Sequence, residues 1–281
     1  MKRTSPQPYD SLGTASIAGL VIVGAFTAAA LLSFFWTPYD VSHIETSDRF
    51  TPPSLQHLFG TNHLGRDVFS MIMVGARMSI MVAFFAVGIG MLIGAPLGLL
   101  ASGARGVAED AVMRLSDIVF AFPALVLAIL IAAVYGPGAM NAIIAIGVFN
   151  IPVFARVARG AALPIWTHGY IMSAKTAGKN KWRISFEHVL PNIAPALIVQ
   201  ATVQFSLAVL AEAGLSYVGL GVQPPTPSWG RMLAESQTMV SFAPWLAIFP
   251  GLAIFLFVFG LNLSGDAMRR RLNPHERMRR L

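Results

Sequence analysis

The sequence predicts an all-α polytopic membrane protein with six transmembrane helices, and three observations carry this. Hydrophobic residues make up 55% of the 281-residue chain and charged residues only 12%, a mix foreign to water-soluble domains. Uncharged apolar runs recur along it, most of them near the roughly 20 residues that cross a hydrocarbon core. The basic residues collect on alternate connections. Arg49, Arg66, Arg77 and Arg231 fall on one side, and every other Lys and Arg on the opposite side. The richer side is then cytoplasmic and holds both termini. The net charge of +7 reads as the mark of those loops, not of nucleic-acid binding.

Lys2 and Arg3 precede the first run, Ile17 to Phe35. Apolar sequence continues past Ala28 to Ala30, so this run reads as a retained anchor and not a cleaved signal peptide. Thr37 to Met78 is a polar segment outside the membrane, in which Asp67 is placed to cap or pair locally and Arg77 to anchor at the interface. Ser79 to Leu100 is the second span. Its Gly88, Gly90, Gly94 and Gly98 suit close helix packing in lipid. Ser102 to Ser116 is a polar link, and Arg114 and Asp117 stand at a helical spacing that favours an ion pair over a proton relay. Ile118 to Tyr135 is the third span, kinked at Pro123, and Gly136-Pro137-Gly138 is a tight turn.

Met140 to Ala155 is the fourth span, interrupted by Asn150 and Pro152 and followed by Arg156 and Arg159. Ile193 to Ala211 is the fifth. Gln200 and Gln204 lie four residues apart there, a spacing that lines a polar path or ties helices together. Glu212 to Gly230 is rich in Gly and Pro and reads as turns and extended backbone, not a long helix. Glu212 would stand at the mouth of the path, meeting a positively charged substrate end or capping a helix. Ala243 to Leu263 is the sixth span, ended by Asn262, Gly265 and Asp266. Arg269 to Arg271 and Arg277, Arg279 and Arg280 form a basic tail suited to anionic lipid.

One stretch breaks the apolar pattern between the fourth and fifth spans: Met172 to Pro191, MSAKTAGKNKWRISFEHVLP. Ser173 to Ala177 favours a helical turn. Gly178 is suited to the left-handed C-cap that ends it. Asn180 can cap a second helix, Lys181 to Val189, which Pro191 would close before the next span. The expected product is a water-exposed helix–turn–helix knob, a shape suited to docking into a partner.

The same residues resemble a family signature. Bacterial ABC-importer permeases carry a cytoplasmic loop with Glu-Ala-Ala, three residues, Gly, nine residues, an apolar residue, any residue and Leu-Pro. Ala174, Gly178, Leu190 and Pro191 fall on that pattern. Met172 stands at the Glu, Ser173 at the first Ala and His188 at the apolar position. The ending His188 to Asn192 resembles the peptide and nickel branch. Further matches to the C-type subunits of that branch are Phe59-Gly60-Thr61, Gly65-Arg66-Asp67, Gly75-Ala76-Arg77, Met113 to Asp117 with Ala121-Phe122-Pro123, Glu212 to Gly230, and Asn262-Leu263, Gly265-Asp266 and Asn273-Pro274.

The resemblance implies a type I ABC importer permease fold in a bacterial inner membrane. Residues 1–75 would form an N-terminal region with the first helix and the outer segment. Residues 76–270 would form the permease domain, with a coupling loop at 160–192, and 271–281 a basic cytoplasmic tail. The chain would supply half of a translocation path for di- or oligopeptides, or alternatively for nickel or another small solute. Its implied partners are a second permease of similar fold, two ATP-binding subunits and an extracytoplasmic binding protein. Coupling to the ATPases would fall to Ser173, Ala174, Ala177, Gly178 and Lys179, with Lys181, Arg183, His188, Leu190 and Pro191 completing the loop.

The residues exclude other chemistries. No Lys and hydroxyl pair follows a Gly-rich loop at the Walker spacing, so ATP and Mg belong to partner chains and this chain binds no cofactor of its own. The chain has no cysteine and no His-Glu-x-x-His zinc motif, and His57 and His63 read as loop histidines. No Gly-x-Ser-x-Gly elbow or other catalytic constellation is present. A proton-coupled transporter working alone would show ionisable pairs at mid-span and related halves, and neither is evident.

Overall fold

The structure, a computed structural model, describes residues 14–272 and is almost wholly helical. Lys2, Arg3 and the tail residues Asn273, Pro274, Arg277, Arg279 and Arg280 lie outside the described residues. The helices are α1 (Thr14–Leu32), α2 (Val68–Ala104), α3 (Val107–Phe120), α4 (Ala124–Tyr135), α5 (Ala139–Ile165), α6 (Gly169–Thr176), α7 (Lys181–Ile184), α8 (Leu190–Tyr217), α9 (Trp229–Ser236) and α10 (Trp245–Leu272). Among the described residues five helices are long and apolar enough to cross a membrane. They become six if α3 and α4, which meet at 84°, count as one broken span. The break falls at the expected Pro123, which stands immediately before α4. With 12 residues, α4 is about 18 Å long and does not cross a hydrocarbon core of about 30 Å by itself.

Several spans outrun the limits read from the sequence. The 37 residues of α2 make a rod of about 55 Å that begins at Val68 and not Ser79. Its start is set by Asp67. That carboxylate accepts from Ser70 N at 2.8 Å and Ser70 Oγ at 2.7 Å, and also meets His57 Nδ1 at 3.0 Å. The cap and the local pair are therefore both made, by one side chain. Arg77 lies inside α2, where it donates to the Ser33 carbonyl at 3.2 Å and covers the Phe34 ring, tying α2 to the end of α1. The polar link is itself mostly helix, α3, entered through Arg105 and Gly106 at positive φ. Neither Asn150 nor Pro152 interrupts α5, and Asn262, Gly265 and Asp266 lie within α10 and do not end it. At Asn150, Pro152 and Gly265, packing against neighbouring helices holds helical a stretch that its composition alone would release.

The core is the crossing of α2 on α5. A Cβ on Gly90 would collide with Asn150, on Gly94 with the Ile151 carbonyl, and on Gly98 with the Ala155 carbonyl, whereas Gly88 faces open space. Three of the four glycines thus let two backbones touch. At the first turns of α2, Phe26 of α1, Trp229 of α9 and Phe257 of α10 meet edge to face at 5.5–5.7 Å, and Trp229 Nε1 donates to the Ile72 carbonyl of α2 at 3.1 Å. The outer segment is clasped to the same end of the bundle: Phe59 stacks on Phe249 at 4.0 Å and Trp245 Nε1 donates to the Thr61 carbonyl at 3.2 Å.

Candidate functional site

The knob follows α5 at the opposite end. Helix α6 ends in a two-bond cap, with Lys179 N donating to the Ala174 carbonyl at 3.1 Å and Gly178 N to the Lys175 carbonyl at 3.0 Å. Gly178 sits at φ 80°, the left-handed conformation its position calls for, and a Cβ there would meet open space. Gly178 is therefore required by backbone angle, not by crowding within this chain. Asn180 Oδ1 accepts from Arg183 N at 2.8 Å and starts α7. Ile171, Ile184 and Val189 are fully buried beneath the knob, and Trp166 Nε1 donates to Ser102 Oγ at 3.1 Å, seating it on the end of α2.

The second knob helix does not stop at Pro191. Ser185–Val189 is a π turn that joins α7 to α8 without a break, so Lys181–Tyr217 is one rod of 37 residues. Pro191 lacks an amide hydrogen, and it sits in the first turn of α8, where none is needed once the π turn has widened the register. The rod measures about 55 Å, longer than a hydrocarbon core of about 30 Å requires, and its charged residues fall in its first turns.

Glu187 organises those turns. Lys179 Nζ and Arg183 Nε each donate to it at 2.5 Å, and Lys179 Nζ also lies 3.2 Å from His188 Nε2. Hydrogen bonds from Lys179 and then Arg183 hold the Glu187 carboxyl down at about 2, from an ordinary 4.5. A carboxyl depressed in the folded state contributes support that is complete above its ordinary value and is lost as pH falls through the lowered one. Amide exchange over Lys179–Val189, corrected for its intrinsic pH dependence, is expected to stay flat from about pH 8 to pH 5 and to quicken only below about 4.5. A transition near neutral pH would mean that Glu187 does not control this turn.

The expected coupling residues divide by position. Ala174 is buried and supports the knob from behind, so it does not offer itself to a partner. Lys179 and Arg183 are engaged with Glu187, which leaves Lys181 as the knob cation of that trio without an ion pair among the described residues. Ser173, Ala177, Gly178, Lys181 and Pro191 are exposed, while His188 and Leu190 are half-buried. Sequence reading missed an apolar face. Trp182 and Phe186 stack at 6.1 Å, each 50% exposed, with Met172 also exposed. Their spacing of four residues inside a charged stretch was the available signal.

The remaining candidates are redistributed. Asp117 pairs with Arg156 of α5, whose guanidinium also covers the Phe120 ring at 4.3 Å, and Arg159 pairs with Glu109. Arg114 is exposed and takes no part, because the facing helix brings Asp117 a cation that also stacks on an aromatic ring. Gln204 Nε2 donates to Asn150 Oδ1 at 2.6 Å, a tie between α8 and α5, whereas Gln200 is half-buried and its side chain makes no hydrogen bond among the described residues. Glu212 is not at a mouth. It lies inside α8, fully buried, accepting from Ser79 Oγ of α2 and Ser216 Oγ at 2.6 Å each.

Residues 90–278 match the family model described as binding-protein-dependent transport system inner membrane component. The chain belongs to this family. It is a membrane transport subunit, and its relatives are alike over most of their length. This inner membrane component is 41% identical to the dipeptide transport system permease protein DppC of Alkalihalophilus pseudofirmus, over 92% of this chain and 85% of that one. It is 42% identical to the glutathione transport system permease protein GsiD of Pectobacterium atrosepticum, over 90% and 86%. It is 40% identical to the di/tripeptide transport system permease protein DppC of Pseudomonas aeruginosa, over 92% and 88%. Its fold is that of an ABC importer permease: it superposes on a chain of the inward-facing MetNI methionine ABC transporter with a TM-score of 0.59 at 21% identity, covering 71% of this chain and 94% of that one.

Proposed function

We propose that this chain is the permease subunit of an ATP-driven importer of short peptides, forming half of the path and receiving mechanical work through the knob at 172–191. The names of its relatives, which carry dipeptides, di- and tripeptides and glutathione, support the cargo class. The observation that carries the coupling role is the half-exposed Trp182–Phe186 stack, on a knob that also exposes Met172, set among cations at the basic end of the bundle. Apolar surface displayed to water beside Lys175 and Lys181 fits a protein groove with an acidic rim. In this reading the basic end is cytoplasmic and carries both termini, in a bacterial inner membrane. ATP and Mg bind two separate ATPase subunits, a second permease completes the path, and a binding protein delivers cargo from outside.

The mechanism follows from the continuous rod. ATPase closure moves the knob, and the π turn passes that movement into α8 because no break separates Lys181 from Tyr217. Ser173, Ala177, Gly178 and Lys181 meet the groove, the Glu187 clamp keeps the knob rigid, and Leu190 and Pro191 carry the load upward. Coupling of this kind needs a knob that binds differently in the two ATPase states.

Gly178→Asp in the reconstituted complex tests this. A side chain at φ 80° strains the cap by about 1–2 kcal/mol, and the added carboxylate faces the acidic rim. Uptake and substrate-stimulated ATP hydrolysis are expected to fall at least about tenfold while the variant still assembles in the membrane. Wild-type uptake and stimulation in that variant would refute the docking role.

A further inference from the structure

An open cleft of about 330 Å³ lies between α4, α5 and α8, a volume within the range of small-ligand sites. Its walls are apolar, with Leu125, Ile146, Phe149 and Leu207 among them, and are broken by the side chains of Asn150 and Gln204. These two are 3% and 5% exposed, and each sits near the midpoint of its helix. Gln204 Nε2 donates to Asn150 Oδ1 at 2.6 Å, and that one bond leaves the pair half used. Asn150 Nδ2 is buried with no partner, and Gln204 Oε1, which is open to the cleft, accepts no side-chain hydrogen bond among the described residues. Exchanging nitrogen and oxygen in both amides gives the same outcome: one donor and one acceptor left over. Gly90 lets α2 close on the Asn150 backbone and pins it in place.

A buried donor without a partner is costly inside a membrane protein, and beside a free acceptor it marks a pathway for a polar cargo. We infer that the Asn150–Gln204 pair is a peptide-bond reading site, with Asn150 donating to the carbonyl of a passing peptide group and Gln204 accepting from its N–H. The apolar walls then take side chains by shape alone, so the site reads backbone and tolerates sequence. This inference rests on the peptide reading above and adds Asn150 as a cargo contact.

The test compares uptake of dialanine and of its ester analogue alanyl-lactate, which lacks the peptide N–H, by the reconstituted complex with its binding protein saturated by each. Wild type is expected to import dialanine about tenfold faster than the ester, because a site built to bond an N–H rejects an analogue without it. Gln204→Met and Asn150→Leu are expected to bring that ratio toward one through slower dialanine transport. A wild-type protein that does not distinguish the two overturns the inference even if neither variant assembles. Variants that keep the wild-type ratio overturn it as well. So does loss of the second permease on co-purification from either variant, which would make the pair a subunit contact. Wild type that imports no dialanine defeats the peptide reading itself, whereas normal dialanine uptake with no ester discrimination defeats this inference alone.

Discussion

Gly94→Leu is expected to abolish recovery of folded protein from membranes. A Cβ at that position collides with the Ile151 carbonyl and lies 2.9 Å from Phe154 Cβ, so no rotamer change relieves the clash and α2 must separate from α5. Overpacking a core costs about 1–3 kcal/mol where side chains can give way. Here backbone blocks the way, and the cost should exceed that range. Gly88→Leu supplies the control. It lies on the same helix and adds the same side chain, yet its Cβ would meet open space, so stability should change by no more than about 0.5 kcal/mol. Monodisperse yield in mild detergent and thermal melting read both variants. Equal behaviour of the two would mean that the close crossing of α2 and α5 is not what holds the bundle together.

Glu212→Ala should produce the second large loss. The carboxylate holds Ser79 of α2 and Ser216 of α8, and Ser216 Oγ in turn accepts from Val222 N at 3.0 Å, fixing the turn that follows. Removing the acceptor strands two buried hydroxyls, at about 1–3 kcal/mol each. Glu212→Gln keeps one acceptor oxygen and should lose less. Melting temperatures should fall in the order wild type, Gln, Ala, with uptake falling in parallel. A substrate contact would behave differently: Glu212→Ala would then alter uptake with melting unchanged, and that result would return the residue to the path.

The two losses mark where sequence reading stopped. Glycines spaced four apart announce a close helix contact, because in lipid only small residues let backbones meet. They do not say which helix comes, nor that Gly88 is left out. Glu212 sits among glycines and hydroxyl residues that resemble an exposed loop, and its burial depends on Ser79, 133 residues earlier. Asp117 had a cation three residues before it and took one from another helix instead. Trp182 and Phe186 passed as ordinary hydrophobes until the structure placed them facing outward.

Sequence alone determined how each stretch stands toward water: which runs are apolar, which connections are basic, and that Met172 to Pro191 is a polar interruption with Gly178 turning left-handed. Those properties are set by hydrophobic length, charge and backbone angle, all of which act within a few neighbouring residues. Only the tertiary structure decided who pairs with whom: Arg156 with Asp117, Gln204 with Asn150, Ser79 with Glu212, and a knob helix fused to α8 through a π turn. A hydrogen bond or ion pair goes to whichever group the packed helices bring within about 3 Å, and that choice is made by the whole bundle at once.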